Sequence, residues 1–174
     1  MKKENKIAVA ILAVLAGVVA VAMGLNKDVA EANKATFENV QINILLDGAE
    51  VGLISYDELL ALESNEFEAI YDTSNTEPVL ESYRGVELKL LLEEFGIALE
   101  DKKAVVLTAV DNYAMAYSVE EVMQDDNVYV AYEREGEAIL GKEDGGAGPL
   151  QAIVTSDKFS NRRCKWLISV EVQS

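Results

Sequence analysis

The last third of the chain, Gly141 to Val172, is the stretch that most constrains the fold. A glycine-rich loop ends in Gly148-Pro149, and an apolar run (Leu150, Ala152, Ile153, Val154) follows it. A polar basic loop comes next, and an alternating segment closes on Val172, taking in Lys165 and Trp166. A short apolar run bounded by turn residues predicts a buried strand, and period-two alternation predicts a half-buried one.

The preceding residues supply the partners. Val40, Ile42, Ile44 and Leu46 alternate over a strand-length window, predicting a first strand over about 38–46, with Asp47-Gly48 as its turn. Ser55-Tyr56-Asp57-Glu58 is a capping box, in which the serine oxygen takes one orphan amide and the glutamate reaches back to another. A short helix starts there. Glu66 to Tyr71 and Val79 to Tyr83 read as strands around the polar loop Thr73-Ser74-Asn75-Thr76.

Leu88, Leu91, Leu92 and Phe95 fall at i, i+3, i+4 and i+7, which predicts an amphipathic helix, and Gly96 stands where a left-handed cap ends it. Ala104 to Val110 is apolar enough for a strand buried on both faces; Asp111-Asn112 turns the chain and Tyr113 to Tyr117 returns. Ser118-Val119-Glu120-Glu121 is a second capping box. Val128 to Tyr132 alternates as another strand, and Arg134-Glu135-Gly136-Glu137 reads as a hairpin turn. Strands interspersed with three short helices, in no regular βαβ rhythm, predict an α+β domain with a mixed β-sheet over 36–174.

Ahead of it, Ile7 to Leu25 is an uncharged run behind Lys2, Lys3 and Lys6. As a helix it is about 28 Å long, close to the bilayer core of about 30 Å. Residues 1–25 therefore read as a membrane anchor or a cleaved signal peptide, and 26–35 as a linker. Either reading puts the domain outside the cytoplasm, because the lysines hold the N-terminus inside.

The formal charge is −16, and after residue 25 twelve basic side chains face thirty acidic ones. Such a surface repels phosphate backbones, so nucleic acid is not an expected partner. The chain has no histidine and one cysteine, Cys164. Histidine-dependent triads, the usual zinc sets and the commonest haem ligation are therefore absent. The pairs Glu93-Glu94, Glu120-Glu121 and Asp125-Asp126 fit no calcium-loop spacing and read as a solvated face.

From Tyr83-Arg84-Gly85-Val86 onward the order of pieces resembles the molybdopterin-binding domain of the sulfite oxidase family. The likeness runs through Asp111-Asn112-Tyr113, Tyr117-Ser118-Val119-Glu120-Glu121, Val130-Ala131-Tyr132 and Gly145-Gly146-Ala147-Gly148-Pro149-Leu150. It ends in Cys164-Lys165-Trp166-Leu167 and Val170-Glu171-Val172, covering roughly Gln41 to Val172. The resemblance implies a cleft for a pterin cofactor whose molybdenum takes a sulfur from a cysteine between the second and third strands. The matching region, Ile70 to Ser82, holds no cysteine, and Cys164 stands where the pattern has an ordinary residue. Gln151 stands where an arginine is usual.

Carried over to this sequence, the cleft-lining candidates are Thr73, Ser74, Asn75, Arg84, Asn112, Tyr113, Gly146, Arg162 and Arg163. Tyr113, Tyr117, Tyr129 and Tyr132 offer rings for stacking on a flat ligand, or serve as half-buried packing residues. Gly141 to Pro149 reads as a structural loop feeding a strand, and Asn161-Arg162-Arg163 as a basic island that either meets an anion or pairs with surface carboxylates. Three functional readings follow: a non-catalytic binding module for a small flat ligand or a partner protein, a molybdopterin-dependent oxidoreductase lacking the cysteine ligand, and a structural interaction protein of the envelope.

Overall fold

In the computed structural model, which describes residues 37, 39–73 and 76–174, two five-stranded sheets carry three short helices. The expected segments 1–25 and 26–35 lie outside the described residues, as do Ser74 and Asn75. No helix among the described residues is long and apolar enough to cross a membrane.

The first sheet is built from β1 (Gln41–Leu46), β2 (Ala49–Ser55), β5 (Ala104–Ala109), β6 (Ala114–Ser118) and β10 (Leu167–Gln173), in the order β2-β1-β10-β5-β6. β1 and β10 run parallel and every other pair is antiparallel. One face is dry. Ile44 pairs with Val170 and Val170 with Leu107, and all three are fully buried, as are Ile42, Val105 and Val172. Each such burial stabilises the fold by about 1.5–3 kcal/mol before entropy is counted.

The β1–β2 turn, Asp47-Gly48, has positive φ at both residues (50° and 80°), a geometry that suits glycine and that aspartate tolerates. β2 has no alternating pattern to announce it. The register jumps at Ile44/Leu45, leaving Val51 unpaired opposite them, and Gly52 sits directly beneath the Phe95 ring. A bulge and a glycine together hide the period.

The second sheet contains β3 (Asn65–Thr73), β4 (Thr76–Glu87), β7 (Val128–Arg134), β8 (Glu137–Ala138) and β9 (Gln151–Val154). β7 is central: β4 lies on one side, and β8 and β9 share the other. Gly85 is required at the β4–β7 crossing, because a Cβ there would stand 2.5 Å from the Val130 carbonyl oxygen. The sheet closes over Ala69, Tyr83, Ala131, Ile139 and Ile153, with Phe67 stacked 4.0 Å from Tyr129.

Two strand expectations exchange places. β5 alternates between buried and half-buried residues, so only one of its faces is dry, whereas Val128 to Tyr132 in β7 are buried throughout. Central position in the sheet, not composition, decides which strand is covered twice. Trp166 also stands outside the closing strand, which begins at Leu167; its φ is 52°.

The helices follow their caps. In α1 (Tyr56–Ala61) the Ser55 hydroxyl accepts from the Glu58 amide, while the Glu58 carboxylate accepts from the Ser55 amide at 2.8 Å. α2 (Leu88–Glu94) buries Leu88, Leu91 and Leu92 completely and ends at Gly96, which has φ 67°. α3 (Val119–Met123) repeats the box with Ser118 and Glu121.

Candidate functional site

A cleft of about 490 Å³ opens where three pieces meet: the end of β3, the turn between β5 and β6, and the segment Ser160 to Trp166 that leads into β10. Asp72 comes from the first piece; Ala109, Asp111 and Tyr113 come from the second. Ser160, Asn161, Arg163, Lys165 and Trp166 complete the lining.

The turn is shaped locally. Asn112 adopts φ 66°, a left-handed conformation asparagine accepts more readily than most residues, and the Asp111 carboxylate accepts from the Tyr113 amide at 3.1 Å. This turn leaves Tyr113 standing 43% exposed in the cleft. Asn112 supplies the bend and does not line the cleft.

The two arginines of the basic island do different work. Arg162 donates through Nε to both oxygens of Asp157 (3.0 and 3.2 Å) and pairs with Glu121 at 2.8 Å. These carboxylates hold its pKa above the ordinary arginine value. Arg163 is buried, donates to the Tyr83 hydroxyl and the Ile70 carbonyl at 2.7 Å each, and lies 4.8 Å over the Tyr83 ring. Burial pushes the Tyr83 phenol up to about 12. That hydroxyl in turn donates to Glu81, which also receives Arg134 at 2.5 Å.

Ser160 fastens the same segment to β3: the Asp72 amide donates to its hydroxyl at 3.0 Å, and the hydroxyl donates to the Asp72 carbonyl at 2.6 Å. Trp166 is held three ways. Its amide donates to Ala147, its carbonyl accepts from Val110, and its indole Nε1 donates to the Gly146 carbonyl at 2.8 Å. Lys142 sits 4.3 Å over its ring and 3.6 Å from Asp111. Positive φ in so bulky a residue is unusual, and here the three hydrogen bonds maintain it.

Of the nine residues expected at a cleft, Tyr113 and Arg163 line this one. Thr73 ends β3 one residue beyond Asp72. Arg84 lies in β4, paired with Glu66 and, at 3.3 Å, with Glu133, away from the cleft. Gly146 is a packing residue, since a Cβ there would meet the Leu140 carbonyl oxygen at 2.0 Å. Tyr117, Tyr129 and Tyr132 are buried; the Tyr117 hydroxyl donates to the Arg162 carbonyl at 2.6 Å, and that of Tyr129 to Asp126 at 2.9 Å.

Sequence reasoning passed over Asp72, Ser160, Asn161 and Lys165 as site residues. Their only signal was adjacency to the Thr73 loop and to the arginine pair. Among the described residues, the side chains of Asp72, Asn161 and Lys165 and the Tyr113 hydroxyl make no hydrogen bond or ion pair. They are the polar groups the cleft can offer to a ligand.

Comparison with solved structures gives the crystal structure of the sulfane dehydrogenase SoxCD from Paracoccus pantotrophus, with a TM-score of 0.63 and 20% sequence identity. The match covers 78% of this chain and 38% of that one, so it is a likeness of fold over a minor part of the larger protein. Comparison with curated proteins finds no match. The family model of the oxidoreductase molybdopterin binding domain matches residues 39–174, the whole of the two-sheet unit. By that match, this chain belongs to the oxidoreductase molybdopterin-binding domain family.

Proposed function

We propose that this domain is a metal-free, non-catalytic binding module outside the cytoplasm, and that its cleft takes a small flat ligand. The observation that carries the reading is the fate of the single thiol. Cys164 is fully buried, burial pushes its pKa up to about 11, and its backbone is bridged to Ala152. It does not line the cleft. A thiol held protonated and sealed from the cleft is a poor metal ligand.

The rest of the donor set points the same way. The stretch Ile70 to Ser82 is the β3–β4 hairpin and contains no sulfur. Among the described residues, no group of three His, Cys, Asp or Glu side chains could hold a metal ion. Nor, among the described residues, is there a free arginine for a cofactor phosphate, because Arg84, Arg134 and Arg162 sit in carboxylate pairs and Arg163 is committed to Tyr83 and Ile70. Two carboxylates, Asp72 and Asp111, line the cleft beside Arg163 and Lys165. These residues do not fit the metal-bearing cofactor.

What the cleft does offer is the open Tyr113 ring and the partly exposed Trp166 for stacking, with Asp72, Asn161 and Lys165 to orient polar edges. The apolar run Ile7 to Leu25 behind three lysines supports the address. A protein partner is the second reading, supported by the exposed Val79, Leu80 and Phe159 close to the cleft. Val79 is paired across the hairpin with Tyr71, and Phe159 precedes the Ser160 that grips Asp72.

The test is native mass spectrometry with elemental analysis on the full-length chain, produced in a host that makes molybdenum cofactor. An apo mass without stoichiometric metal is expected. A pterin mass with one molybdenum would overturn the proposal in favour of an oxidoreductase.

A further inference from the structure

The outward face of the first sheet carries a groove of about 590 Å³. Successive side chains of a strand point to opposite faces. Ile42 and Ile44 of β1 are buried on the dry face, so Asn43 between them points outward, paired with Leu53 of β2. In β10 the register slips between Leu167 and Ser169, and the extra residue, Ile168, is left exposed. Asn43, Leu53 and Ile168 line the groove together with Val110, Pro149 and Trp166. Leu53 and Val110 are exposed as well, so three large apolar side chains stand open around one hollow.

Asn43 Oδ1 is the one buried side-chain oxygen or nitrogen among the described residues that has no hydrogen-bond partner. A buried polar atom left unpaired is a standing penalty on the folded state. A carbonyl oxygen only accepts, so whatever relieves it must bring an N–H or O–H. The Asn43 residue is itself partly exposed, and rotation about its side-chain bonds turns the oxygen into the groove. Glu50 lines the same groove, exposed, and meets no cation among the described residues. Lys142, the cation of the lining, is already held by Asp111 and the Trp166 ring. In a chain of charge −16, these acceptors favour a donor that is also cationic.

We propose that this groove binds a small primary amine, its ammonium donating to Asn43 Oδ1 beside the Glu50 carboxylate while an apolar body covers Leu53, Val110 and Ile168. The proposal does not depend on what the cleft binds.

Trp166 is the chain's single tryptophan, so its fluorescence in the full-length protein reports on the groove it lines. Titration with 2-phenylethylamine is expected to shift that fluorescence, and phenylacetate, an anion of similar shape, to leave it unchanged. The N-trimethylated amine keeps the charge and loses every N–H, and is expected to bind about tenfold more weakly. Asn43→Leu is expected to weaken the primary amine about tenfold too, while melting at the same temperature or higher because an unpaired oxygen has been removed. Trp166 also lines the cleft, but Tyr113 lines the cleft alone, so Tyr113→Ala should leave the amine's affinity as it was. No shift at about 10 mM amine, a range that would still register weak binding, overturns the proposal. So does an equal response to phenylacetate or to the trimethylated amine, undiminished binding to Asn43→Leu, or binding lost in Tyr113→Ala. A lowered melting temperature of Asn43→Leu overturns it as well, since the oxygen would then be held by water as part of the fold. The trimethylated amine is compared on the parent protein, so that arm decides the matter even if Asn43→Leu does not fold.

Discussion

The two sides of the cleft are built on opposite principles. On the β3 side, the polar groups are joined to one another: Ser160 to the Asp72 backbone, Arg163 to Tyr83 and Ile70, Tyr83 to Glu81, and Arg162 to Asp157 and Glu121. On the turn side, the Asp111 carboxylate reaches Lys142 at 3.6 Å with both side chains more than a third exposed, and Tyr113 stands open. Exposed ion pairs of that kind contribute little. Charge on the β3 side is therefore architecture, and what a ligand can use lies in the looser groups around it.

Substitutions can break this contrast, and Arg163→Ala is expected to have the largest effect. It strips the Ile70 carbonyl of its side-chain donor, leaves the Tyr83 hydroxyl with Glu81 alone and removes the cover over two rings, a loss of about 3 kcal/mol in urea unfolding. A loss under about 1 kcal/mol would mean that Arg163 is free to serve a ligand. Ser160→Ala, which deletes two hydrogen bonds to Asp72, should cost about 1 kcal/mol by the same measurement.

Acid sharpens the contrast further. The hydrogen bond from Arg162, and then that from the Ser118 amide, hold the Glu121 carboxyl below its ordinary value of 4.5. A carboxyl lowered on folding contributes stability that is present above the unfolded value and is lost as pH falls through the folded one. The urea midpoint should therefore drop below about pH 4.5, and Glu121→Gln should flatten that part of the profile; an unchanged profile would show that the pair with Arg162 is not maintained in solution. The smallest effect on stability belongs to the turn side. Tyr113→Ala should leave unfolding within about 0.5 kcal/mol of the parent while weakening whatever the cleft binds, and a larger loss would make the turn side structural as well.

Local chemistry was legible in the sequence and long-range pairing was not. Both capping boxes and the Gly96 cap form as their residue types require, because each is decided within a few positions. The parallel pairing of β1 with β10 joins residues more than a hundred positions apart, and nothing local encodes it. The mixed-sheet fold was therefore read from the order of pieces rather than from any one strand. At the site, Arg162 and Arg163 are adjacent and chemically identical on paper; burial alone separates the surface pair from the buried anchor. Asp72 was hidden for the same reason, since its exposure depends on a segment nearly ninety residues away.

The grip of Ser160 and Arg163 on β3 has a consequence for how molecules of this protein meet one another. β3 ends its sheet, and the outward amide and carbonyl of Asp72 and the carbonyl of Ile70 are already engaged by side chains. A strand arriving from a neighbouring molecule would find those ladder positions taken, so this stretch of sheet edge is guarded against edge-to-edge polymerisation. Ser160 and Arg163 stand in for the next strand without being one.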